Sequence, residues 1–455
     1  MPTNHVDTYF LSSSAAMKES NKKNHIKYGK NRTGTQICYY SGKKIQNAPI
    51  NCINVPIEEI YNYFINTSHR SPSKVSYAQT KFKKTKRKIL TSKILNAINK
   101  AYISHRKLIE EYKNEIKQNK PSFKEKQWRI FIPTSRETTV MQHVSKHIAK
   151  TFESLGYTVL LFIEKNDLEY SSLLAQLKAQ YKFNPHITIN LNHFNNDYLH
   201  KKIYNIVWIQ DPMESITNTK SVINIRKRDI IYSLAKPLDY YLENKKIPFT
   251  RQIFAINRNI YRKYQNIKRE KKIVFVGSSY LSNLSKNIPP QLIKEILYLF
   301  SKGHDFSEKV VLQLAKKYNQ DFSYVNMRVI SFVIRDFSIL ELCKIQTDYQ
   351  VEIYGWGWDQ YPEIKPFYKG VLKYGEDIAK VFNSATYSLS PHSGSLIQQR
   401  VLESSACGCI PIVYDCKVMD TPPFYSKNLV FYKQLSSLKK ILDSSPKRKL
   451  KKIVK

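Results

Sequence analysis

Residues 390–415 hold a dense set of side chains able to meet an anion: the loop Ser390-Pro391-His392-Ser393-Gly394-Ser395, then Arg400, Glu403 and Gly408. A small polar loop that follows a strand and opens a helix leaves backbone N–H groups unpaired, and the helix dipole adds positive potential there. A diphosphate fits such a loop. On the helix expected next, Leu396, Arg400 and Glu403 stand at i, i+4 and i+7, which predicts Arg400 and Glu403 on one face. An arginine near phosphate and a carboxylate near ribose hydroxyls would together hold a nucleotide. The plainer alternatives are a solvent-face Glu403 paired with lysine and a surface His392. Gly408 is placed to close the helix or to let the strand expected at 410–413 approach closely.

Asp211, within Gln210-Asp211-Pro212, and His193 each end a strand-like run, which makes both candidates for acceptor activation or sugar binding. A helix N-cap is the rival role for Asp211. Ser135-Arg136-Glu137-Thr138 follows a strand but lacks the Gly-x-Gly-x-x-Gly pattern. Gly355 and Gly357, with Trp356 and Trp358, either turn the chain or line a site. The six cysteines show no paired Cys-x-x-Cys spacing, so no metal site or disulfide framework is expected. Reduced thiols fit a cytoplasmic location, and residues 1–9 lack the basic start and apolar core of a secretory signal.

These side chains need elements to place them. From Trp128 a short apolar run, a helical stretch to Leu155 and a second run at 158–163 predict a strand-helix-strand unit. Strand-like runs recur at 186–191, 206–209 and 229–232, which predicts a parallel sheet covered on both faces over residues 128–265. A second series opens with Lys272-Ile-Val-Phe-Val-Gly277, passes a helical insertion at 290–345, and continues at 351–354, a short run at Val371, 385–389 and 410–413. The expected fold class is therefore α/β, with two Rossmann-like, doubly wound parallel-sheet domains facing a cleft, at 128–265 and 266–430. Residues 1–127 read as a basic, helical or irregular accessory region, with apolar residues at helical spacing from Ile89 to Leu108, and 431–455 as a basic helix or tail.

The chain has 455 residues with 74 Lys+Arg against 36 Asp+Glu, a formal charge of +38. At 42% hydrophobic residues it has enough apolar content to fold, and no apolar run reaches the roughly 20 residues of a membrane-spanning helix. Its sign selects polyanions, acidic lipid surfaces or phosphorylated substrates, although a lysine-rich solvated surface explains part of it equally well.

The sequence resembles the C-terminal half of GT-B glycosyltransferases, and within them the spore-maturation CgeB-like group of group-1-type enzymes. Three features carry the resemblance: Glu352-Ile-Tyr-Gly-Trp-Gly-Trp358; Tyr368-Lys-Gly370 followed by Tyr374-Gly-Glu-Asp377; and Arg400-Val-Leu-Glu403 with Ala406-Cys-Gly408. Residues 351–415 match well and 128–280 loosely. The resemblance implies a nucleotide-sugar glycosyltransferase, retaining and independent of metal, with no cofactor besides its UDP- or GDP-linked donor. It implies that Glu403 binds the ribose, that the Ser393-Gly394-Ser395 loop meets the diphosphate, and that Arg400 braces that corner; His392, by its position next to the loop, is a further candidate for the phosphate. Tyr374 would enclose the base, Gly355 would line the site and Lys286 would help neutralise the leaving diphosphate. Group-1 relatives carry a second glutamate where this chain has Ser395. The acceptor implied is a cell-envelope glycan, a lipid-linked glycan or a protein, with peripheral contact to anionic membrane through the basic tail. A basic nucleic-acid-binding protein is the alternative, without an RRM, KH or zinc-finger motif to support it. A degenerate transferase homologue that binds nucleotide without turnover is another.

Overall fold

The computed structural model describes residues 8–12, 26–28, 32–34, 37–41, 44–47, 52–67, 72, 74–76, 84–135, 139–164, 173–281, 284, 288–396, 398–418 and 429–443. Lys286, Arg136 to Thr138 and the basic tail 447–455 lie outside the described residues.

The accessory region contains strands β1 (Thr8–Ser12), β2 (Ile37–Ser41) and β3 (Cys52–Asn54), helix α1 (Ile60–Asn66), strand β4 (Lys74–Ser76) and helix α2 (Lys84–Gln118). The strands form a parallel sheet in the order β3-β2-β1-β4. Helix α2 is amphipathic: Ile94, Ile98 and Ala101 pack with Phe10, Tyr39 and Phe64, and Ile116 packs with Leu177, Tyr198 and Leu199. The sheet adds to the helical extension expected from sequence. Its strands are three to five residues long, too short for alternation to stand out.

The next sheet is built from β5 (Arg129–Thr134), α3 (Thr139–Ser154), β6 (Thr158–Ile163), α4 (Leu173–Phe183), β7 (Ile187–Leu191), β8 (Tyr204–Ile209), β9 (Asp229–Ser233), α5 (Lys236–Asn244) and β10 (Thr250–Arg251). Its order is β10-β9-β8-β7-β5-β6. The third sheet comprises β11 (Glu270–Val276), then helices α6 (Pro290–Ser301), α7 (Glu308–Lys317) and α8 (Ser331–Lys344), β12 (Gln350–Tyr354), α9 (Glu376–Ser384), β13 (Ala385–Ser390), α10 (Gln399–Ala406), β14 (Ile410–Tyr414), β15 (Val430–Tyr432) and α11 (Leu435–Asp443). All its pairings are parallel, in the order β12-β11-β13-β14-β15. In both sheets the second strand lies outside the first and the third on its other side, the doubly wound order whose direction reverses beside the first strand. The apolar run of β11 is buried from Lys272 through Val276, as a strand covered on both faces requires.

Two details differ from the sequence reading. The run at Val371 is not a strand: Val371 is 44% exposed, and the chain before it lies along β12 through a Tyr368–Ile353 bridge and the Gly355 N–H to Gly370 O bond. Strand β15, only three residues long, has no counterpart in that reading.

By contacts the chain divides into two compact units, residues 1–208 with 222–230 and residues 209–221 with 231–455. Among the described residues no helix is long and apolar enough to cross a membrane. None of the six cysteines is in a disulfide; five are buried and Cys343 is half-buried.

Candidate functional site

In a doubly wound sheet the chain leaves the first and third strands in opposite directions, so a crevice opens at their carboxyl ends. In the third sheet that crevice is bounded by the loop after β11, Gly277-Ser278-Ser279-Tyr280-Leu281, and the loop after β13, Pro391 to Leu396. Both loops are held by the first turns of α8. Ser393 Oγ donates to Ser331 Oγ at 3.3 Å, and Arg335 Nη1 donates to Ser278 O at 3.3 Å. Asp336, fully buried, accepts from Ser279 Oγ at 2.5 Å, Tyr361 Oη at 2.9 Å, Leu281 N at 3.1 Å and Tyr280 N at 3.2 Å. Burial pushes the Asp336 carboxyl above its ordinary value, against the pull of these donors. The Arg335 guanidinium lies 4.2 Å from the Tyr280 ring centroid.

Gly355 belongs to this constellation for a steric reason. The Ser279 N–H donates to Trp356 O and the Gly277 N–H to Tyr354 O, so the chain after β12 runs against the β11 loop. A Cβ at residue 355, where φ is +131°, would stand 2.1 Å from Gly277 O. Only glycine allows that approach. Trp358 is fully buried and its indole N–H donates to Gly277 O at 2.7 Å.

The second loop is compact. Ser393 and Ser395 are buried, and His392 Nδ1 accepts from the Gly394 N–H at 3.1 Å. Helix α10 begins at Gln399, with Gln398 as N-cap, so Leu396 precedes the helix and does not share its face as the spacing implied. Arg400 and Glu403 are on it and form an i,i+3 ion pair. The Glu403 side chain is fully buried; Oε1 also accepts from Tyr374 Oη at 3.1 Å and Gln399 Nε2 at 3.0 Å. Arg400 lies over the Tyr374 ring, 5.3 Å from its centroid, and Tyr261 meets Tyr374 edge-on at 6.4 Å. Burial and then the Glu403 charge raise the Tyr374 and Tyr261 phenols. Burial opposes the charge of Arg400, but Glu403 outweighs it and its pKa is raised. Gly408, at φ +77°, ends the helix: its N–H donates to Ser405 O while the Cys409 N–H donates to Ser404 O, the paired bonds of a Schellman cap. Arg269 Nη2 donates to Cys407 O at 2.8 Å and braces the same end.

The expected residues thus fall into two bonded groups within one unit: Glu403, Arg400 and Tyr374 in one, and the 392–395 loop in the other, on the α8 platform that also holds the loop packed against Gly355. Asp336, Arg335, Ser331, Gln399 and Tyr261 were absent from the sequence reading. Arg335-Asp336, a charged pair inside the apolar stretch Ser331-Phe-Val-Ile and Phe337-Ser-Ile-Leu340, was the available signal. In the other sheet, His193 follows β7 and is exposed, at the loop flanking that sheet's own reversal beside β5, and Asp211 follows β8 and is exposed. Among the described residues no group of three or more His, Cys, Asp or Glu is placed to hold a metal ion.

Residues 335–454, the segment that carries Arg335, Asp336, Arg400 and Glu403, match the family described as glycosyl transferase-like. Two Rossmann-like sheets in tandem along one chain are the components of the GT-B fold class. Among solved structures, the chain is similar to the sucrose-phosphate synthase (tll1590) from Thermosynechococcus elongatus at TM-score 0.42 and 9% identity, over 72% of this chain and 91% of that one. WaaG, a glycosyltransferase involved in lipopolysaccharide biosynthesis, gives TM-score 0.42 at 10% identity over 71% and 94% of the two chains. Anabaena Alr3699/HepE in complex with UDP gives 0.41 at 10% identity over 72% and 92%. The curated proteins give no match.

Proposed function

We propose that the protein is a nucleotide-sugar glycosyltransferase of the GT-B type. The observation that carries this reading is the coincidence of the family match over 335–454 with the elements bounding the sheet reversal: α8, the 391–396 loop and α10. The donor is assigned to residues 266–430 and the acceptor to residues 128–265. The Ser393-Gly394-Ser395 loop with His392 and the Arg335 guanidinium are suited to the donor diphosphate. Lys286 is assigned to the same charge. Glu403 is assigned to the ribose, and Tyr374 closes the base side with its hydroxyl already bonded to Glu403.

Glycosyl transfer needs charge stabilised on the departing nucleoside diphosphate while an acceptor oxygen attacks the anomeric carbon. Fixed N–H dipoles and arginine supply that stabilisation without reorganising water. His193 and Asp211 are the acceptor-side candidates, as a base or as sugar ligands. The acceptor proposed is a cell-envelope glycan, a lipid-linked glycan or a protein, the CgeB-like group is the subfamily proposed, and the location proposed is cytoplasmic.

The test is a thermal-shift and calorimetric screen against UDP, GDP, CDP, ADP and their sugars. A cognate nucleotide at 100 times its Kd adds about 2.7 kcal/mol of stability. No stabilisation by any nucleotide, together with salt-sensitive polyanion binding, refutes the reading. Tight nucleotide binding without transfer or hydrolysis marks a degenerate homologue instead.

A further inference from the structure

Helix α2 buries one side and presents an unusual mixture on the other. Ile89, Leu95, Tyr102 and Ile103 are 63%, 43%, 55% and 67% exposed. Leu95 and Tyr102 are one heptad apart, and Ile89 and Ile103 two, so each pair keeps to one stripe with a drift of about 20° per heptad. Lys86, Lys93, Lys100 and Lys107 form another stripe at the same heptad spacing, about 10.5 Å per step, and all four are exposed. From Lys84 to Lys107 the helix carries eight Lys and Arg and no Asp or Glu. Lys100 leans over the Tyr61 ring at 5.2 Å, and Lys107 meets Glu111 at 3.7 Å in an exposed pair, contacts that leave these two charges in solvent.

We propose that this face of α2 docks on the surface of a bilayer bearing acidic lipid headgroups. Lysine stems reach headgroup phosphates while Ile89 and Ile103, about 60° round the helix from the lysine stripe, enter the interfacial region; Leu95 and Tyr102, about 160° from the lysines, stand on the far flank and take no part. Charge selects a polyanion, and the isoleucine stripe selects among polyanions: a nucleic-acid backbone satisfies the lysines but leaves Ile89 and Ile103 in water. A second copy of the chain on this face would bring eight cations against eight. The face involves none of the donor-site residues and stands whether or not the transferase reading does. It also places the contact on a folded element instead of the basic tail.

The experiment is vesicle flotation of the full chain with phosphatidylcholine vesicles, with and without phosphatidylglycerol, at low and raised salt. The parent should float only with the acidic lipid, and less at raised salt. Ile89→Ser with Ile103→Ser keeps every charge and should weaken partition about tenfold per isoleucine. Lys93→Gln should weaken it about fivefold. Circular dichroism of the variants should match the parent, since the substituted side chains are exposed, and nucleotide-induced thermal shifts should be the same in parent and variants. Failure of the parent to float with acidic vesicles overturns the proposal. So does flotation of the serine variant equal to the parent, or a parent that binds single-stranded RNA in place of the vesicles with no loss on the serine substitutions.

Discussion

Replacing Glu403 separates a structural role from a ligand role. Its carboxylate is fully buried, with Oε2 on Arg400 and Oε1 on Tyr374 and Gln399. Truncation to alanine leaves Arg400 without its partner and two further donors unmet; breaking a fully buried pair this way costs about 3–5 kcal/mol. The Arg400 side chain keeps 29% exposure and rehydrates in part, which lowers the expectation to about 2–3 kcal/mol. At about 2–4 °C per kcal/mol for a domain of this size, Glu403→Ala should melt about 5–10 °C below the parent. Glu403→Gln keeps the volume and an acceptor and loses only the charge, so it should cost about 1–2 kcal/mol. The assay is thermal unfolding followed by circular dichroism, without and with saturating nucleotide. If the carboxylate also meets ribose, the glutamine variant should bind nucleotide about 10- to 100-fold more weakly. An alanine variant that melts within about 1 °C of the parent would refute the network argument. A glutamine variant with parental nucleotide affinity would refute the ribose assignment alone.

Three further outcomes follow from the same geometry. Asp336 has a raised pKa through burial, so the folded state holds its proton more tightly than the unfolded chain and ionisation costs stability as pH rises from 3.8 through the folded value. The stability of the parent relative to Asp336→Asn should therefore fall with rising pH across that window in denaturant titrations, and a rise would show that the four donors outweigh desolvation. Gly355→Ala should lose nucleotide-induced stabilisation and melt well below the parent, because its Cβ would sit 2.1 Å from Gly277 O at φ +131°; a parental melting curve would place this turn elsewhere. Lys271→Ala should change stability by less than about 1 kcal/mol, since its bond to Asp348 joins side chains 55% and 86% exposed, and a larger loss would contradict the screening argument.

Continuous apolar runs ended by glycine or polar loops made the strands at 129–134, 270–276 and 410–414 readable, because a strand covered on both faces has no polar side to mask it. Glu403 was readable from its spacing to Arg400 and Gly408. What spacing could not show was that the helix starts at Gln399, because propensity places the first turn of a helix poorly: Ser393 and Ser395 are favoured cap types and suggest an earlier start, while the actual N-cap, Gln398, makes no side-chain cap bond. Asp336 was hidden for a different reason. A buried carboxylate is intelligible only through its donors, and those at 279, 280, 281 and 361 come from loops far away in the chain.

Helix α2 runs for 35 residues, about 52 Å, and its two halves belong to two apolar clusters: Ile94 and Ile98 with the small N-terminal sheet, Ile116 with α4. One continuous rod of i→i+4 bonds is thus common property of both. Fraying either half shortens the rod for the other, so the two clusters should exchange their amide protons as a single cooperative unit. A truncation at residue 83 would then do more than trim an accessory piece: it would bare Ile94, Ile98 and Ala101 and loosen the packing at Leu177, some four helical turns along.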